Sequence, residues 1–343
     1  AAGESIVRDR EEIHKGLGIL SELRREGLPK HILAPVYHFH PKTAGGEPVC
    51  SLYYPLGLTT FSGISDSSIL RIKGADARSR EVEVRALDRV RFGMDIAEAL
   101  VDLHARRRCV FDIHSDNVLL TFGKEGRMEA NLFDMDLLRS FGKIADLSDF
   151  GVECRPWLGM YTLNTMEAGS WTDVIGLMEA LDACLFAKSG SDLFMQDLDY
   201  WTSPKVEVSD SVADEDRIEA LLEQDCYVKK TEELFYKKLL PSATREQIVA
   251  LQSCSAPDDF ARCLTRHGQP WVDPELCRRL SLGIRFYELL REVKRADIRN
   301  PEFDTETGRF IPPKQLTAPY ILERLGEMHW ELQVDVMLQP DLR

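Results

Sequence analysis

The stretch Val110-Phe111-Asp112-Ile113-His114-Ser115-Asp116-Asn117-Val118-Leu119-Leu120 sets an Asp and an Asn five positions apart, and Leu132-Phe133-Asp134-Met135-Asp136 supplies a second acidic centre downstream. A carboxylate such as Asp112 can orient a hydroxyl and take its proton. An amide oxygen at Asn117 and a carboxylate at Asp134 are hard oxygen donors of the kind Mg²⁺ accepts beside phosphate. Those residue types in that order suit phosphoryl transfer from ATP to a hydroxyl, where positioning and charge neutralisation carry most of the catalysis.

Such residues need rigid elements on either side. From Leu87 through Val90, Met94, Ala97 and Val101 apolar residues recur at alternating spacings of three and four, which predicts a long amphipathic helix ending near His104 and handing the chain to Asp112. Val118-Leu119-Leu120 and Leu132-Phe133 read as strands around the two acidic centres. Upstream, residues 10–27 read as a helix, with Ile13, Leu17, Leu20 and Leu23 at helical spacing and Gly27 at the C-cap. Residues 32–39 and 49–54 flank the turn Thr43-Ala44-Gly45-Gly46 and predict an antiparallel hairpin. Residues 62–80, rich in Ser, Gly and Asp, read as a surface insertion. Residues 137–169 are of mixed polarity, and the apolar run Trp171–Leu181 follows. Further helical patterns lie at 229–240, 244–252, 274–295 and 318–328, and Ser211 to Asp214 has capping-box spacing ahead of Ile218.

A chain of 343 residues, 44% hydrophobic, can bury a full core and should form two lobes or domains. Its formal charge of −14 argues against general nucleic-acid or anionic-membrane binding, which needs clustered cations. Eight cysteines without a C-x-x-C suggest reduced, mostly buried thiols rather than a zinc knuckle or disulfide frame. No run of eighteen uncharged apolar residues and no secretory leader is present, so the expectation is a soluble cytoplasmic protein without a membrane partner. The start at Ala1 rather than Met points to a fragment or trimmed chain.

The segments around Asp112 and Asp134 resemble the catalytic loop and metal-binding segment of the eukaryotic protein kinases and their relatives. Residues 10–27 resemble kinase αC, Leu103-His104 the end of αE, and Trp171–Leu181 the αF helix. The resemblance spans residues 10–185. It implies an α+β, protein kinase-like two-lobed fold with a truncated β-rich N-lobe, a mainly helical C-lobe and a helical C-terminal extension. In that frame residues 1–55 form a partial N-lobe (αC, β4, β5 and hinge), 56–190 the C-lobe core, and 191–343 the remaining helical part. Asp112 is then the catalytic base, with Asn117 and Asp134 the Mg²⁺ ligands. Leu119 forms the floor under adenine, Leu52 the gatekeeper, and Tyr53, Tyr54 and Pro55 the hinge. Asp173 anchors the catalytic-loop backbone.

Departures from the family pattern accompany the match. His-Arg-Asp is replaced by Val110-Phe111-Asp112, removing the Arg that pairs with an activation-loop phosphate, so phosphorylation should not switch the site in the usual way. Asp-Phe-Gly becomes Asp134-Met135-Asp136, and the catalytic-loop Lys becomes His114. Pro55 has no N–H to offer adenine. No glycine-rich loop or strand Lys precedes the αC-like helix. The resemblance implies an ATP- and Mg²⁺-dependent phosphotransferase, Ser/Thr-type by default, acting on a protein. Two alternatives stand beside it. One is a pseudokinase that binds partner proteins. The other is a small-molecule kinase, because Asp112-Ile113-His114 with Asn117 also resembles the D-x-H-x-x-N loop of the aminoglycoside and choline phosphotransferases. Among weaker candidates, His38 and His40 with nearby His31 have spacing a metal could use. Arg106-Arg107-Arg108 could meet a phosphate, although a helix C-terminus favours cations anyway.

Overall fold

The computed structural model describes residues 16–40, 49–53, 57–64, 69–73, 79–135, 137–143, 167–186 and 302–338, together with residues 282, 285, 286, 289, 292, 293 and 296. It is an α+β arrangement of helices and small antiparallel sheets. The first helix, α1, covers described residues 16–26 and ends at Gly27, whose φ of 99° takes the left-handed position that L side chains avoid. Strands β1 (Val36–His40) and β2 (Val49–Tyr53) pair antiparallel with Val36 opposite Tyr53, as the turn chemistry predicts.

After β2 come the short strand β3 (Thr59–Thr60) and a 3₁₀ turn at Phe61–Gly63. The segment read as a surface insertion then forms a second hairpin, β4 (Ile69–Lys73) with β5 (Ser79–Glu83). Leu70 is buried and pairs with Val82 across the hairpin.

Helix α2 (Ala86–Ala105) lies at the centre of the described residues, and Asp88 Oδ2 accepts from Arg85 N at its start. Its predicted stripe is only partly the buried one. Leu87, Met94 and Val101 are half-buried, whereas Val90, Phe92, Ile96, Leu100 and Leu103 are sealed. The reason is that α2 is covered on several sides: by strand β8 (Met128–Leu132), by helix α3 (Ser170–Phe186) and by the C-terminal helix α4 (Ala318–Leu338). Helix α3 is apolar nearly all round and buried accordingly. A small hairpin, β12 (Glu302–Phe303) with β13 (Phe310–Ile311), lays Phe310 edge-on against Trp171 of α3 at 4.5 Å between ring centroids.

The main sheet is β3-β7-β8, with β7 (Val118–Phe122) in the middle and Val118 opposite Leu132. Ile32 adds a parallel bridge to Leu132 on the outer side of β8. Short pairs complete the described strands: β6 (Arg108–Cys109) with β9 (Arg139–Ser140), and β10 (Gly142–Lys143) with β11 (Glu167–Ala168). Cys109 and Cys184 are free, buried thiols, and burial pushes the Cys184 thiol up to about 12. No helix among the described residues is long and apolar enough to cross a membrane.

Candidate active site

Helix α2 ends by turning sharply. Arg107 has a φ of 55°, and β6 then leads to Val110 and Phe111, the latter with a φ of 71°. A bulky residue in the left-handed region costs roughly 1–2 kcal/mol. What holds it is Asp173, fully buried in the first turn of α3. Its carboxylate accepts from Val110 N at 2.9 and 3.0 Å and from Phe111 N at 2.9 Å. His104 Nε2, at the end of α2, donates to the same carboxylate at 2.9 Å. Hydrogen bonds to a charged group contribute about 1.5–3 kcal/mol each, so the two amides together outweigh the strain at Phe111.

The loop so fixed presents Asp112, half-buried, and then closes on itself. Asn117 Nδ2 donates to Asp112 O at 3.0 Å and to Asp112 Oδ2 at 3.2 Å. The 3₁₀ turn Ser115–Asn117 is capped by His114, whose Nδ1 accepts from Asp116 N at 3.3 Å while its Nε2 stands 3.7 Å from Asp112 Oδ2. Asn117 N also donates to His114 O at 3.0 Å. Ser62 Oγ, from the turn after β3, donates to Asp116 Oδ1 and ties the loop to the far edge of the sheet.

The second acidic segment is brought to the loop by strand register. With Val118 opposite Leu132, the next pair outward is Asn117 and Phe133, and Phe133 N donates to Asn117 O at 3.1 Å. Asp134 follows one residue later with a φ of 58°, a left-handed turn that ends the strand at that point. Asp112 and Asn117 are therefore in direct contact, and Asp134 is one residue from a backbone bond to Asn117.

Leu119 is half-buried, on the face of β7 opposite buried Val118 and Leu120. The chain just after β2 lies against it, since a Cβ on Gly57 would come within 2.3 Å of its side chain. Leu52 and Tyr53 stand on β2 opposite Tyr37 and Val36. Tyr54, Pro55 and Asp136 lie outside the described residues, as do the side chains of His38 and His40.

Asn117 and Asp134 are the groups that could offer oxygen to a Mg²⁺ ion shared with phosphate. Asn117 has committed its Nδ2 to Asp112, which leaves Oδ1 as the ligand end of the amide. Asp134 supplies a carboxylate on the adjoining strand end. Among the described residues no group of three or more His, Cys, Asp or Glu side chains could hold a metal by itself. The arginine triplet is otherwise engaged. Arg106 pairs with Asp102 at 2.8 Å and donates to Gly27 O, Arg107 lies over the Phe141 ring, and Arg108 meets Ser140 and Glu22.

Two supports of this site escape a reading of motifs. Gly176 of α3 lies so close to the loop that a Cβ there would stand 2.6 Å from Ile113 O. Asp95 of α2 is buried and its Oδ2 accepts from Ala130 N at 3.0 Å. The only signal for Asp95 is a carboxylate in the apolar run Met94–Ala97 of a helix. A comparison with protein-family models finds no match, and neither does a comparison with curated protein sequences.

Proposed function

We propose that the protein is an ATP- and Mg²⁺-dependent phosphotransferase of protein kinase-like, two-lobed architecture that phosphorylates a hydroxyl, by default a Ser or Thr of a protein. The observation that carries this reading is the knot at Asn117, which contacts the Asp112 carboxylate through its side chain and the Asp134 segment through its backbone. An acid-base group and two oxygen ligands gathered at one strand end are what positioning and charge neutralisation require. ATP and Mg²⁺, when bound, supply the phosphoryl group and neutralise charge on its oxygens.

The chain's own residues divide the remaining work. Asp112 orients the acceptor hydroxyl and takes its proton. Asn117 Oδ1 and the Asp134 carboxylate are the groups that would hold the cation. Leu119, turned toward Gly57, offers an apolar floor for the adenine, and Leu52, Tyr53, Tyr54 and Pro55 would be the gatekeeper and hinge. Asp173 keeps the loop backbone in its left-handed turn.

A second reading, phosphorylation of a small-molecule alcohol, draws on His114. The ring is built into the loop as the cap of its turn, in the D-x-H-x-x-N order of the small-molecule kinases.

Thermal melting with and without Mg²⁺-ATP tests the site. A ligand at one hundred times its Kd should add about 2.7 kcal/mol of stability. Asp112→Asn should keep that shift and lose phosphate transfer to protein or amino-alcohol acceptors by a factor of at least roughly 10². Absence of any shift would favour a scaffold without catalysis, and transfer unchanged in the variant would remove Asp112 from its role.

A further inference from the structure

The strand that carries Asp134 toward Asn117 is gripped on its outer side by two residues with no part in the loop itself. Asp95 of α2 accepts from Ala130 N at 3.0 Å. His31, just beyond α1, accepts through its backbone oxygen from Leu132 N at 2.9 Å, and Leu33 N donates to Leu132 O at 2.8 Å. His31 can serve β8 with its carbonyl and α2 with its ring because it adopts a φ of 62°. Its Nε2 stands 3.5 Å from Asp95 Oδ1 and 3.8 Å from Glu98 Oε2, and Lys30 Nζ stands 3.5 Å from the same Glu98 oxygen.

Both members of the pair are buried, His31 with 4% and Asp95 with 4% of its surface exposed. Among the described residues neither ring nitrogen of His31 has a hydrogen-bond partner. An unsatisfied buried polar group costs about 1–3 kcal/mol, and a left-handed histidine adds to that. A core built for stability alone would place an apolar side chain here. The expense falls on the two amides, at 130 and 132, that lead directly to Phe133 N on Asn117 O and then to Asp134.

We propose that His31 and Asp95 are a positioning pair for the metal-binding segment, setting through β8 where the Asp134 carboxylate stands relative to Asn117. The pair ties the end of α1, the middle of α2 and the strand end into one unit. The proposal rests on the phosphotransferase reading for the identity of the ligand, but the grip on β8 stands independently of it. Outer partners that orient a metal ligand typically matter by 10–100-fold in metal affinity.

The test uses the full chain and two variants. Asp95→Asn keeps an oxygen for Ala130 N but removes the charge facing His31. His31→Asn removes the ring at a position whose left-handed backbone Asn tolerates. Each variant should weaken Mn²⁺ uptake in the presence of ATP by about tenfold while adenosine binds as in the parent. The double variant should be no weaker than the worse single one, because the residues act as one pair. Amide exchange of the unliganded chain should quicken at residues 130–133 and not along α3.

Unchanged Mn²⁺ uptake in both variants would overturn the proposal. Equal weakening of Mn²⁺ and adenosine would also overturn it, by showing general damage. Should His31→Asn fail to fold, Asp95→Asn alone decides the matter. A parent protein that takes up neither Mn²⁺ nor ATP would sink the phosphotransferase reading and the metal half of this proposal, while exchange at residues 130–133 still decides the grip on the strand.

Discussion

Asp173 does the same physical work whether or not the protein transfers phosphate, which makes it the residue on which structure and activity can be separated. Its two oxygens satisfy Val110 N, Phe111 N and His104 Nε2 in a fully buried setting. Asp173→Ala would strand all three donors, and at about 1–3 kcal/mol for each buried orphan the loss is roughly 3–5 kcal/mol after partial relaxation. Asp173→Asn is the sharper probe, because it is nearly the same size and keeps one acceptor oxygen. It should cost about 1–3 kcal/mol, measured by denaturant unfolding, as the two amide bonds to the retained oxygen become neutral ones and the bond from His104 is lost or weakened. Phe111 then has less to hold its φ of 71°, so Asp112 next to it should lose its aim. We expect phosphate transfer to fall while Mg²⁺-ATP affinity stays near that of the parent. Transfer at the parent rate would mean that the loop's left-handed turn is held by its other contacts and not by Asp173.

Elements bring the site together through close approaches, and two glycines show the difference between a fit that matters to chemistry and one that does not. At Gly176 an added Cβ meets the backbone oxygen of Ile113 at 2.6 Å, and at Gly93 it meets the tip of Leu181 at 2.5 Å. A leucine methyl can rotate away, whereas a loop carbonyl fixed between Asp173 and the Asn117 knot cannot. Both substitutions to Ala gain up to about 1 kcal/mol of helix propensity. Gly93→Ala should therefore stay within about 1 kcal/mol of the parent and keep its activity. Gly176→Ala should lose about 1–3 kcal/mol by overpacking and lose transfer as well, since Ile113 adjoins Asp112. Melting temperatures and transfer rates of the two variants, compared side by side, check this. Equal activity would show that α3 yields and the loop does not. Local spacing is legible in a sequence and long-range contact is not. The order Asp112, Asn117, Asp134 and the periodicity of α2 are local in sequence, and the helix forms although only part of its predicted stripe is the buried one. The contact of Gly176 with Ile113 and the bond from Asp95 to Ala130 join segments far apart in the chain, so no spacing rule reports them. The hairpin Ile69–Lys73 with Ser79–Glu83 is hard to read for another reason: the segment is rich in Ser, Gly, Asp and charged residues, and that composition masks the alternation of its strands.

At the scale of the whole molecule the question is whether the C-terminal part is an appendage or a wall of the core. The helical pattern read at 318–328 is the first half of α4, which runs to Leu338 and lies along α2. Leu325 is fully buried and would stand 3.2 Å from a Cβ on Gly93, at a junction where α2, α3 and α4 meet. Tyr320 and Arg324 of α4 are further tied to Glu292, with Tyr320 OH donating to Glu292 Oε2 at 2.6 Å. Helix α2 also carries His104 to Asp173 and Asp95 to β8, so anything that loosens it on its α4 side reaches the site from two directions. Leu325→Ala should cost about 2–5 kcal/mol, the range for an emptied leucine site in a rigid core. If α4 is part of the core, that loss lowers a single unfolding transition, and far-ultraviolet circular dichroism and tryptophan fluorescence report the same midpoint. Transfer activity should then decline in step with the folded fraction. Two separate transitions, with helical signal lost first and activity preserved through it, would instead make α4 an independent extension and leave α2 to be held by α3 and β8 alone.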